Sequence, residues 1–434
     1  MWRLAVLSMS SGVLLSSGCQ QPCEGLLECV SQSTHNSIVV FAQAESTAVV
    51  RTQDSPAMTI VGENILGDDW TISFNSDSDG QVVIGTQTGQ AFSLPYQVGN
   101  TSLTNPIWTT STGNGIMMPV GDWWLTTYPN TTTSDLNAAG LLQLENPNAD
   151  NDILIYGTEH LQQWPAHVFS CGDLDGDNHT DWVAVHLDDK RTGEVRVGLS
   201  TQWLTFEGAQ NINVLPVLTG SLEAEGFGHD VLCDRDWTGD GQIDLIISSP
   251  FANVNGVTAA GRIQLFANDN GAFTKLVSIN GDRKHGWLGY RLTAGDTNGD
   301  GNLELASTTF ELTNSAVRLW TWENTRTNQL QFRERYTVRS LEFDTFFGYD
   351  ILIRDIDGDA KDDLLVGEPY YNDEKSEIGS LTIYKGTDSF LDWNTPSGQI
   401  LGSTAYAHLG YSIYTHDLNQ DGIEDILLPV IEVD

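Results

Sequence analysis

The sequence predicts an all-β fold: a seven-bladed β-propeller of four-stranded antiparallel blades, its ring closed by N- and C-terminal strands that share the last blade. Three observations predict it. Five short acidic loops recur at a spacing of about sixty residues. An apolar residue followed by glycine stands a short way before each of the last four: Phe227-Gly228, Leu288-Gly289, Phe347-Gly348 and Leu409-Gly410. Between these markers the chain runs in short apolar stretches bounded by Gly, Asn, Asp and Pro, which are strand signals, and no stretch carries a convincing helical period. A unit of four short strands cannot bury its own faces, and radial repetition buries them.

Residues 1–18 read as a lipoprotein-type export signal. Arg3 supplies the positive charge, and Leu4 to Leu15 is apolar but too short to span a bilayer. Leu14-Leu15-Ser16-Ser17-Gly18-Cys19 matches a lipobox except at Ser16, where Leu is usual. Cleavage before Cys19 makes that cysteine the lipidation site; an ordinary signal peptide cut nearby is the alternative. Gln20 after the cysteine favours the outer membrane, by analogy with bacterial lipoproteins. Residues 19–36 form a tether, and 37–434 the propeller. SIVVFAQAE from Ser37 looks like the third strand of a blade and TAVVRTQ from Thr47 like the fourth, so the two ends of the chain are expected to complete one blade. That closure removes the sheet edges that invite aggregation.

Blades are expected to begin near Gly67, Gly115, Ala166, Gly228, Gly289, Gly348 and Gly410. The first keeps a shortened loop remnant, NSDSDGQVVIG from Asn75. The second offers VGDWWLTTYP from Val120, which resembles the strand after a loop without the loop itself. Both are expected to be metal-free. Three later stretches open a strand with glycine: GEVRVGL from Gly193, GRIQLFA from Gly261 and GSLTIYK from Gly379.

The acidic loops read DLDGDNHTD (Asp173 to Asp181), DWTGDGQID (Asp236 to Asp244), DTNGDGNLE (Asp296 to Glu304), DIDGDAKDD (Asp355 to Asp363) and DLNQDGIED (Asp417 to Asp425). Each presents oxygen-bearing side chains at positions one, three, five and nine. The candidate ligands are therefore Asp173, Asp175, Asp177 and Asp181; Asp236, Thr238, Asp240 and Asp244; Asp296, Asn298, Asp300 and Glu304; Asp355, Asp357, Asp359 and Asp363; and Asp417, Asn419, Asp421 and Asp425. Oxygen-only donor sets suit a hard cation, and calcium takes about six to eight oxygens. An EF-hand needs a bidentate Glu at position twelve and flanking helices. Here the acids end at position nine and most loops run into strand formers such as DLIISSP and DLLVGEP. His179, at position seven of the first loop, is incidental as a side chain. Up to five calcium ions are expected, mainly structural.

These motifs resemble the FG-GAP repeat, the blade of the integrin α-subunit head and of many bacterial surface proteins. The residues that carry the resemblance are Phe227-Gly228, Phe347-Gly348, the five loops and Val366-Gly367-Glu368-Pro369, which stands where the family has Gly-Ala-Pro, with Ser248-Ser249-Pro250 a weaker match. The resemblance covers roughly 37–434. It implies a seven-bladed propeller with calcium in the hairpin between the first two strands of a blade and, less directly, a role in binding or adhesion, since a fold does not fix a function.

The chain carries 58 acidic and 20 basic residues, a formal charge of −38. That excludes nucleic acid and anionic lipid surfaces, which need basic patches, as partners. Membrane association is expected only through a lipid anchor, and the propeller is expected to be monomeric. No HExxH, GxSxG or Walker loop is present, so the chain is read as a non-enzyme. Its expected role is a calcium-binding, envelope-anchored module for a protein or glycan ligand. Alternatives are a glycan-binding or glycan-active face using Trp123-Trp124 and Trp320/Trp322, and a structural subunit of an envelope complex. Aromatic packing between blades competes with the sugar-platform reading of those tryptophans. Besides Cys19 there are four cysteines. Cys23 and Cys29 are close enough to close a small loop, and Cys171 and Cys233 fit either a bridge or two buried thiols.

Overall fold

The computed structural model describes residues 116–433 with short interruptions and, before them, only strands between residues 34 and 109. The signal segment with Cys19, the tether cysteines Cys23 and Cys29, the expected blade starts Gly67 and Gly115, and TAVVRTQ lie outside the described residues.

The described chain is all-β, apart from a one-turn helix at Ser200–Trp203 and a 3-10 turn at Ile212–Val214. Its strands group into five four-stranded and two five-stranded sheets. Four of these repeat one plan. Consecutive strands pair antiparallel: His167–Ser170, Trp182–His186, Glu194–Gly198 and Val217–Thr219 in the first; Val231–Arg235, Asp244–Ser249, Arg262–Asp269 and Ala272–Asn280 in the second. Leu292–Gly295, Glu304–Thr309, Ala316–Asn324 and Leu330–Arg339 form the third; Ile351–Arg354, Asp363–Glu368, Ser380–Tyr384 and Gly398–Leu401 the fourth. In every case an acidic loop joins the first strand to the second.

The second strands explain how the sheets stack. Asp244–Ser249 is buried along its whole length. Strand side chains alternate between faces. Leu245 and Ile247 accordingly pack with Val183 and Val195 of the preceding sheet and with Phe227 at the boundary, while Ile246 packs with Leu292, Leu305 and Trp320 of the following one. The same handover recurs where Ala306 and Val317 meet Ile351 and Leu364, and where Leu365 and Leu381 meet Leu409 and Ile426. Each fully buried Leu or Ile contributes about 1.5–3 kcal/mol relative to exposure. Polar side chains also cross between first strands. Asp230 accepts the N–H of Leu292 at 2.8 Å, Thr293 that of Ile353 at 2.9 Å and Asp350 that of Ile413 at 2.8 Å. Cys171 and Cys233, left open between a bridge and free thiols by the sequence, are joined by a disulfide between adjacent first strands.

One joint recurs between neighbouring sheets. Gly140, Gly193, Gly261 and Gly379 all have positive φ and lie against the backbone of Trp164, Phe227, Leu288 and Leu409. In each case that residue donates its N–H to the carbonyl just before the glycine, for example Leu288 to Ala260 at 3.1 Å. A Cβ on Gly261 would stand 2.2 Å from the Leu288 carbonyl oxygen. The strand-opening glycine and the apolar-Gly pair of the next repeat are thus two halves of one contact.

One expectation needs adjustment. The strand after Thr34–Phe41 in its sheet is Met58–Val61, not the segment from Thr47. Val120 and Trp123 close a hairpin across the two residues Gly121 and Asp122, so this tight turn replaces an acidic loop. The strands on either side, Ile116–Val120 and Trp123–Tyr128, head a sheet that Leu141–Glu145 and Ile153–Tyr156 continue, with Ala209–Asn211 added in parallel.

Gly261→Ala should lower stability by at least about 2 kcal/mol, from the left-handed backbone penalty and the carbonyl clash together. Chemical denaturation measures this, and a loss within experimental error would mean that the joint is not tight.

Candidate metal loops

Four of the five loops are described in full. In the fifth, Asn419 and Asp421 lie outside the described residues. The position-one carboxylate folds each loop around itself. Asp173 accepts the N–H of Asn178 at 2.7 Å, Asp236 that of Gly241 at 2.7 Å and Asp296 that of Gly301 at 2.8 Å. Asp355 takes Ala360 at 2.9 Å and Asp417 takes Gly422 at 2.8 Å. All five donors sit at position six with positive φ. Position four is glycine in the first four loops, and position six is Gly241, Gly301 or Gly422 in three loops and Asn178 or Ala360 in the other two.

Position nine is buried in every loop: Asp181, Asp244, Glu304, Asp363 and Asp425 are at most 2% exposed. One carboxylate oxygen holds the loop by accepting the N–H of position two, from Leu174 at 2.6 Å, Trp237 at 2.8 Å, Thr297 at 2.9 Å, Ile356 at 3.4 Å and Leu418 at 3.0 Å. In three loops the other oxygen grips the chain beyond or at the end of the third strand, through the N–H of Ser200 at 2.6 Å, Asn268 at 2.9 Å and Gly386 at 2.9 Å. Those three partners were not legible, because they lie outside the repeating motif. Asn268 also donates its side-chain N–H to the Leu174 carbonyl at 2.7 Å, tying the second loop to the first. Burial lifts the carboxyls of Asp181 to about 6 and of Glu304 and Asp363 to about 7, against the hydrogen bonds that hold their charged forms.

The structure brings Asp173, Asp175 and Asp177 together, and Asp355, Asp357 and Asp363, each trio offering ligand atoms within 4.8 Å of one another. These are acidic clusters that could hold a metal. Whether the remaining donors fit a cation can be judged from their partners. Asp175 Oδ1, Thr238 Oγ1 and Glu304 Oε1 are buried without a hydrogen-bond partner, one in each of the first three loops and each at a predicted ligand position. An orphaned buried oxygen costs about 1–3 kcal/mol, more for a charged group, and a cation between these oxygens relieves it. The first loop is also lined by neutral hydroxyls: Ser200 donates to Asp177 at 2.8 Å, and Thr201 donates to Asp175. The His179 imidazole lies on the exposed rim of the loop, its Nδ1 3.3 Å from the Asp177 carboxylate.

Three of the tryptophans considered for a sugar platform, Trp123, Trp320 and Trp322, make packing contacts with neighbouring side chains. Trp320 is 2% exposed, under the Arg318 guanidinium. Trp123 packs edge-on against Trp203 at 5.5 Å, and Trp322 leans on Phe332 at 4.7 Å. The Trp123 and Trp322 contacts fit aromatic packing, the competing reading. Among the described residues no helix is long and apolar enough to cross a membrane.

Two stretches match family models: residues 236–307 an FG-GAP-like repeat and 347–384 an FG-GAP repeat. Human integrin alpha-8 is 30% identical over 157 residues, 33% of this chain and 14% of its own length. Mouse integrin alpha-IIb is 26% identical over 147 residues, 32% of this chain and 14% of its own. The chain thus spans about a seventh of the length of these relatives.

Asp244→Ala removes the acceptor of three backbone N–H groups, from Trp237, Thr238 and Asn268. It should cost about 2–4 kcal/mol in chelator, and more in calcium, where a predicted ligand is lost as well. Asp240→Asn, at the exposed position five, should leave stability in chelator unchanged and act only through the metal. Paired denaturation curves in calcium and in EDTA separate the two roles.

Proposed function

We propose, from a chain that carries FG-GAP repeats and is integrin α-like over a third of its length, a calcium-stabilised seven-bladed propeller that serves as a binding module for a protein or glycan ligand. The carrying observation is the set of buried, unpartnered oxygens at ligand positions of successive loops. Ring closure is supported by the pairing of Thr34–Phe41 with Asp425–Val433, in register from Thr34 opposite Val433 to Phe41 opposite Ile426. That strand starts inside the segment expected to be tether.

The residues that would hold calcium are those at positions one, three and five, with the position-seven carbonyl and the position-nine acid behind them. Bound calcium supplies positive charge to a loop whose carboxylates otherwise repel one another. Its role on this reading is structural. The ligand-binding surface is assigned to the other end of the first strands. There an aromatic series runs His229, Tyr290, Tyr349 and Tyr411, with ring centroids 4.9, 6.0 and 4.6 Å apart, beside Phe346, 44% exposed. Exposed aromatics are typical anchors of protein interfaces. Export and lipid anchoring at Cys19 complete the reading; Cys19→Ala should move the protein from the membrane fraction to the soluble one, and unchanged fractionation would remove the anchor.

Each loop at a calcium concentration a hundred times its dissociation constant adds about 2.7 kcal/mol. Thermal melting in millimolar calcium and in excess EDTA should therefore differ by at least several degrees, and coincident curves would overturn the metal reading.

A further inference from the structure

The fourth loop differs from the first three, and the difference lies in one side chain. Lys385 follows the third strand of its sheet, Ser380–Tyr384, and Gly386 after it is the residue that bonds the position-nine carboxylate. From there the Lys385 ammonium pairs with Asp357, at position three, and stands 3.6 Å from Asp359, at position five. The matching place in the first loop is taken by Leu199, followed by Ser200 and Thr201, whose hydroxyls reach the same carboxylates without charge. Among the described residues no lysine or arginine pairs with a ligand carboxylate of the first three loops. Each of those loops also keeps a buried oxygen without a partner, whereas none of the four ligand residues of the fourth loop does. The other lysine of the fourth loop, Lys361, turns away to Asp388 at 3.3 Å.

We propose that Lys385 is an internal cation that occupies the fourth loop, so that this loop folds without metal and binds calcium far more weakly than the first three. The reason is electrostatic. A divalent ion at the centre of Asp355, Asp357, Asp359 and Asp363 would stand within a few ångströms of a fixed positive charge. It must either displace the ammonium from two carboxylates or bind beside it against repulsion that falls off only as the inverse of distance. The ammonium also competes without loss of translational freedom, being tethered to the same sheet. A weakening of at least about tenfold relative to the neutralised loop follows. The inference rests on the calcium reading of the loops but goes beyond it, because it singles out one loop by a residue outside the repeat motif.

Calcium binding to the whole chain, followed by isothermal titration and equilibrium dialysis, tests it. Lys385→Gln should bind one ion more per chain than the wild type in the same concentration range. Asp355→Asn should abolish that extra ion in the Lys385→Gln background while leaving the wild-type count unchanged. Melting gives a second readout. In EDTA, Lys385→Gln should melt below the wild type, because its carboxylates have lost their counter-charge, and calcium should close the gap. Equal counts for wild type and Lys385→Gln, with Asp355→Asn removing an ion from the wild type, would overturn the role of Lys385 and leave the calcium reading standing. A melting gap that calcium does not change would also overturn it. No calcium binding by any variant would overturn both.

Discussion

A buried carboxylate at the start of each second strand is the interaction on which this structure turns. An acid at that depth is costly unless hydrogen bonds hold it. Here backbone N–H groups do so: Asp181, Asp244 and Asp363 each bridge from the second residue of their loop to the end of the third strand. The acid therefore fixes the loop's shape and the registry of three strands at one point. The donor cluster is then presented at the end of a rigid sheet, and a cation bound there stabilises the same element that positions it. Glu304 departs from the pattern. Its longer side chain reaches the N–H and hydroxyl of Thr297, and its second oxygen is left without a partner.

From this constraint the order of the sheets follows. Strands whose two faces are both buried need a neighbour on each side. The glycine joint supplies the closest approach between neighbours, with the backbone of Phe227, Leu288 or Leu409 occupying the space a Cβ would take at Gly193, Gly261 or Gly379. The paired motifs of the repeat are therefore partners across a sheet boundary rather than independent turn signals.

Much of this was legible because its determinants are local. Loop ligands fall two or four residues apart, and a strand-opening glycine or an apolar-Gly pair is visible in a few letters. What was not legible depends on distance along the chain. The Cys171–Cys233 bridge spans 62 residues. Asn268 reaches the Leu174 carbonyl across 94 residues. Lys385 lies 28 positions beyond Asp357 and carries no motif. The Trp320 face likewise depends on strand register: its alternation places the ring inside the sheet stack, where composition alone could equally have put it on the surface. The strand beside Thr34–Phe41 was misassigned because TAVVRTQ and MTIV are both short β-formers, and only pairing distinguishes them.

On the proposed function, the loops hold the scaffold and the aromatic end of the first strands offers the surface for a partner. The most direct test of the account is a crystal structure of the chain grown in calcium, with anomalous data collected at long wavelength. The account predicts calcium peaks at about 2.3–2.6 Å from the carboxylate oxygens of the loops headed by Asp173, Asp236 and Asp296, and the Lys385 ammonium rather than an ion in the loop headed by Asp355. Loops without anomalous peaks, closed only by their own hydrogen bonds, would contradict it.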